Sequence, residues 1–284
     1  MSYPSYVPRP PLAPPAPHMS PIAPTHDQVP VLYVIVVYAV VIFAAWVMPG
    51  ARILITPLKL FTIGWHELCH ISMAVLTGGS VVKVSIDPDA GGATIVSGGH
   101  PPTILAAGYI GSTIFGGLFI MAGFDTLVSK IMSFVIGIGL VAPLALVRDK
   151  LTILLTVLYE GLLIGFWFID HACVHLLDTF EIPESIGETD IFRQALRWYC
   201  LLIGVMNALY VVWDIADDKY FHKANDSDAS QWAIMYPKTR AHLWAIAWII
   251  FEIAVLIGFV FLGIVAFKRT PDEMSAEAAQ FLPT

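Results

Sequence analysis

What most limits the folds open to this chain is a series of apolar runs, each about as long as a bilayer is thick. Residues 31–48 form the first, an almost unbroken hydrophobic stretch closed by Pro49-Gly50-Ala51-Arg52. A helix of about 20 such residues crosses the hydrocarbon core, where every backbone polar group must be satisfied within the protein. Further runs follow at about residues 57–76, 102–124, 127–146, 151–169, 192–213 and 243–267. The pattern predicts an all-α polytopic membrane protein with about seven transmembrane helices. Composition agrees, because only 13% of residues are charged, where a soluble domain has about a quarter. A net charge of −7 and the lack of a basic patch argue against a nucleic-acid partner. Cys69, Cys173 and Cys200 are too scattered to form a disulfide framework.

The second run carries residues that a bilayer tolerates poorly. Gly64-Trp65-His66-Glu67-Leu68-Cys69-His70 contains an H-E-x-x-H pattern. On a helix the two histidines share a face and can both reach one metal ion, and Glu67 can take a proton from a metal-bound water. Two imidazoles and a carboxylate are expensive in a membrane and seldom persist there without a function. Cys69 occupies a spacer position and reads as a small apolar residue.

The remaining segments divide the chain. Ten prolines in residues 1–30 predict a disordered tail with polyproline II character. Without a basic region leading into an apolar core, no cleavable signal peptide is expected, and the first run serves as an uncleaved anchor. Residues 31–268 form the membrane domain, and residues 269–284 a short C-terminal tail. Within the domain, residues 80–99 change period. Val82, Val84 and Ile86 alternate with Lys83, Ser85 and Asp87, then Asp87-Pro88-Asp89-Ala90-Gly91-Gly92 reads as a turn and residues 93–97 as a return strand. A β-hairpin therefore follows the second helix. Gly108, Ser112 and Gly116 form a stripe of small residues that lets helices approach closely. Glu160 sits in the middle of an apolar run, where a carboxylate is either functional or hydrogen-bonded between helices. The acidic connection at residues 170–192 holds a second histidine pair, His171 and His175, with Asp178 on the same face, but no glutamate follows the first histidine. A polar loop is expected at residues 214–240. Lys and Arg nearly balance on the two sides, so charge does not fix the orientation.

A catalytic zinc needs three protein ligands and an open position. The third is sought at the end of an apolar segment, where Asp214 is the first candidate and Asp217, one turn on, the alternative. The chain resembles the site-2 protease family of intramembrane zinc metallopeptidases, and most closely its compact fungal and plant branch. The resemblance rests on His66 to His70, the glycine-rich Ala107-Gly108-Tyr109-Ile110-Gly111-Ser112, Asn207 through Asp218, and Asn225-Asp226-Ser227-Asp228-Ala229. It covers about residues 60–230.

That resemblance implies a Zn2+ held by His66, His70 and Asp214, with Glu67 as the base. It also implies hydrolysis of peptide bonds in or near transmembrane segments of membrane-protein substrates. Where members of the family follow an asparagine with a proline-rich Leu-Asp-Gly motif, this chain has Trp213-Asp214-Ile215. The expected location is integral and multi-pass, in contact with lipid and compatible with an endomembrane. Two other readings carry different expectations. An inactive relative that binds membrane proteins would tolerate loss of Glu67. A divalent-metal transporter would use Glu160 and the second histidine pair, and would show the half-repeats that this sequence lacks.

Overall fold

The computed structural model describes residues 22–87, 91–146, 149–180, 194–221 and 226–281. The expected proline-rich tail up to residue 21 and the stretch 181–192 lie outside it, as do Asn225 and the side chains of His171, His175 and Asp178. In chain order the helices are α1 (Val29–Val47), α2 (Pro49–Leu54), α3 (Thr56–Leu76), α4 (Pro101–Ala122), α5 (Thr126–Val141) and α6 (Lys150–Phe180). There follow α7 (Ala195–Ala208), α8 (Tyr210–Phe221), α9 (Asp228–Met235), α10 (Ala241–Ala266) and α11 (Pro271–Phe281). Strands β1 (Ser80–Asp87) and β2 (Gly91–Ser97) form an antiparallel hairpin between α3 and α4, with a bulge between Val81 and Lys83.

The expectation of about seven spans needs correction. Among the described residues, five helices are long and apolar enough to cross a membrane, and the pair α7 and α8, bent by 57°, makes a sixth if counted as one span. The run that drops out is α3, whose apolar residues are interrupted by Lys59, His66, Glu67 and His70. Two expected connections also contain helix: α6 continues to Phe180, and α9 lies inside the polar loop.

Helix α4 is the centre of the bundle, with α3, α7, α10 and α5 packed around it. Small residues make this possible, because lipid offers little hydrophobic drive between helices and close backbone contact must replace it. A Cβ on Gly116 would stand 2.2 Å from the Ala208 nitrogen, and one on Gly204 2.7 Å from the Ile120 nitrogen. The glycines therefore set the α4–α7 distance. Ends and breaks are satisfied locally. Gly78 at φ +82° stops α3, with the Gly79 N–H bonded back to the Ala74 carbonyl at 2.8 Å. At the bend after α7, buried Glu252 of α10 accepts the Val211 N–H at 2.7 Å, and Trp213 Nε1 donates to the Met206 carbonyl at 2.8 Å.

Candidate metal centre

His66 and His70 lie one turn apart on α3, both buried, and their Nε2 atoms are 3.0 Å apart. The face they occupy is closed by α4: a Cβ on Gly108 would come within 2.5 Å of both imidazoles. Only glycine lets the α4 backbone lie so close. The His70 Nδ1 is 2.8 Å from the Ile104 carbonyl, which can only accept, so Nδ1 carries a proton and Nε2 is the nitrogen available to a metal. The His66 Nδ1 faces the Ser112 hydroxyl at 3.3 Å, and the Tyr210 ring stacks on the His66 ring with centroids 4.2 Å apart.

Against the two Nε2 atoms lies a carboxylate from the first residue of α9. Asp228 Oδ2 is 3.1 Å from His66 Nε2 and 3.2 Å from His70 Nε2. Three potential ligand atoms thus converge, an arrangement that a proton or a metal cation shared between them stabilises. A tetrahedral zinc site with bonds of 2.0–2.1 Å holds its ligand atoms about 3.3 Å apart. The donor set fits a divalent metal.

Glu67 completes the cluster. One of its carboxylate oxygens and a ring nitrogen of each histidine all fall within 4.8 Å of one another. Strand β2 holds this side chain: Thr94 Oγ1 donates to Glu67 Oε2 at 2.5 Å, and a Cβ on Gly92 would stand 2.0 Å from Oε1. Beside Glu67 and His70 opens a cavity of about 730 Å3, walled by residues 92–96 of β2 and by Asp228 and Gln231 of α9.

The aspartates of α8 have partners of their own. Asp214 accepts the Tyr109 hydroxyl at 2.6 Å, and the same hydroxyl accepts the Ala229 N–H at 3.2 Å. Asp217 lies between Lys59, at 3.3 Å, and Arg52, at 3.5 Å. Asp218 accepts from Ser227, at 2.7 Å, and Ser230, whose N–H the Ser227 hydroxyl caps at the start of α9. All three brace the elements that carry the cluster.

Asp228, Tyr109, Ser112 and Thr94 were not singled out individually from the sequence, although Asp228, Tyr109 and Ser112 fall within the stretches that carry the family resemblance. The available signal for Asp228 was Ser227, an N-cap residue followed by an acid in the first turn. The small-residue stripe, read as packing alone, also brings Gly108 and Ser112 against the histidines.

A buried H-E-x-x-H helix inside a membrane bundle, with a carboxylate against both imidazoles, defines a membrane metallopeptidase. The chain belongs to the Peptidase M50B-like family, whose model matches residues 35–259. No curated protein and no solved structure matches it.

Proposed function

We propose that this protein is an intramembrane zinc endopeptidase that hydrolyses peptide bonds in or near transmembrane segments of membrane-protein substrates. The observation that carries the reading is the placement of Asp228 against the His66–His70 pair, with Glu67 alongside and a groove open to a polypeptide. In this reading His66, His70 and Asp228 hold the metal, and Asp214 supports it through Tyr109. Zinc suits a buried set of two imidazoles and one carboxylate. When bound, it supplies the Lewis acidity that activates a water and polarises the scissile carbonyl.

The protein's own groups do the rest. Glu67 takes the proton from that water and returns it to the leaving amine. Thr94, bonded to Oε2, holds the carboxylate in place. The Ile104 carbonyl keeps the His70 tautomer fixed. A substrate helix must unwind first, since its carbonyls are bonded internally. Five consecutive residues of β2 line the groove, so the strand presents its edge there, and an unwound segment can add to it as a further strand.

The transporter alternative draws no support from geometry. Glu160 lines a separate groove between α5 and α6 that shares none of its described residues with the groove along β2. The inactive-relative alternative fits poorly with a Glu67 that is present and held.

The test is Glu67→Gln in the purified full chain, with metal content measured in parallel. Retained zinc with cleavage of a membrane substrate lowered about 10²- to 10⁴-fold is expected. Equal cleavage by both proteins would overturn the reading.

A further inference from the structure

Glu67 borders two cavities. Besides the groove along β2, a second cavity of about 380 Å3 lies between α3, β1, α5 and the 3-10 turn at Ala142–Ala145. It is walled by the α3 face that carries Gly64 and Leu68, by Ile86 of β1, and by Pro143 and Leu146. Among the described residues, Glu67 is the only charged one in its lining. A dry apolar cavity of about 150 Å3 already accepts a benzene-sized group. Leu68 and Leu146 are about half exposed, 46% and 52%, so the cavity is open on its lipid side.

A strand laid along β2 sends successive side chains to opposite sides. With its scissile carbonyl beside Glu67, one flanking side chain points past the carboxylate toward this second cavity. We infer that the cavity is the subsite for a side chain next to the cleaved bond, and that it selects a large apolar one such as Leu or Phe. The inference rests on the proteolytic reading above. Gly64 sets its depth: a Cβ there would make ordinary contacts of 3.6 Å with Ile86 Cδ1 and Pro143 Cγ, so a methyl fits and a longer side chain fills the space.

The test uses the zinc-loaded full chain in lipid nanodiscs and single-span model peptides carrying Ala, Leu or Phe at each position around the cleaved bond. Wild type is expected to favour Leu or Phe over Ala at one flanking position by about tenfold or more in kcat/KM. Gly64→Leu should erase that preference, lowering kcat/KM for the Leu and Phe peptides about tenfold more than for the Ala peptide. Leu146→Ala, at a half-exposed position, should extend the preference to Trp. Equal cleavage of all three peptides by wild type would overturn the subsite and leave the protease reading standing. So would a Gly64→Leu protein that slows every peptide alike, or a preference unchanged in both variants. Failure of wild type to cleave any peptide, matched by Glu67→Gln, would overturn both.

Discussion

Asp214 is buried and Asp228 largely so, yet their neighbours assign them different work. Asp228 Oδ2 faces the Nε2 atoms of both histidines, whereas Asp214 accepts a phenol that also receives the N–H of the residue after Asp228. Removing the first should delete a ligand, and removing the second should loosen the helix that delivers it. Zinc analysis of purified protein is therefore expected to show Asp228→Ala metal-free and Asp214→Ala still loaded, with affinity reduced about 10- to 100-fold. Equal loss in both would refute the division. Gly108→Ala is a second case at this scale. Its new methyl would fall about 2.5 Å from both imidazoles, so the rings must turn, and zinc affinity should drop while the helix content by circular dichroism stays unchanged. The i,i+4 spacing of His66 and His70 was enough to read their shared face from sequence. Asp228 was harder, because it comes from a helix of eight residues hidden in a polar loop, and nothing local says which carboxylate tertiary packing will bring to the histidines.

Among the elements, the bent pair α7 and α8 depends on its neighbours for its shape. A break inside a membrane exposes backbone groups that lipid cannot satisfy. Glu252, fully buried on α10, accepts the Val211 N–H and so caps the start of α8, next to the Tyr210 ring that stacks on His66. Glu252→Leu should leave that donor unpaired and cost about 1–3 kcal/mol. A lowered unfolding midpoint in detergent would report the loss, with Glu252→Gln, which keeps an acceptor, much closer to wild type. The hairpin was legible because its alternation of apolar and polar residues has period 2. The break at Leu209 was not, because residues 192–213 read as one continuous apolar run. The carboxylate that satisfies it lies 41 residues away in α10.

For the molecule as a whole, the ends of the bundle fix its parity. Gln28, just before α1, donates to the carbonyls of Ile264 and Phe267 at the end of α10, at 3.2 and 2.6 Å. At the same end Lys268 reaches the Ala23 carbonyl and Arg269 pairs with Asp125, the N-cap of α5. The start of the first span and the finish of the last therefore lie on one side, so the number of crossings between them is even. Six satisfies this, with α7 and α8 taken together as one bent span. The hairpin leads into the opposite end of α4, where His100 precedes Pro101, and His70 meets Ile104 within the first turn. His66, Glu67 and His70 thus lie nearer the face away from both ends of the membrane domain. Single cysteines at His26, Gln280 and His100, placed in a cysteine-free chain in sealed vesicles, check this with a membrane-impermeant maleimide. The first two should label from one side and the third from the other. Labelling of His26 and Gln280 from opposite sides would require an odd number of spans, and would mean that the contacts of Gln28 with Ile264 and Phe267 do not form in the membrane.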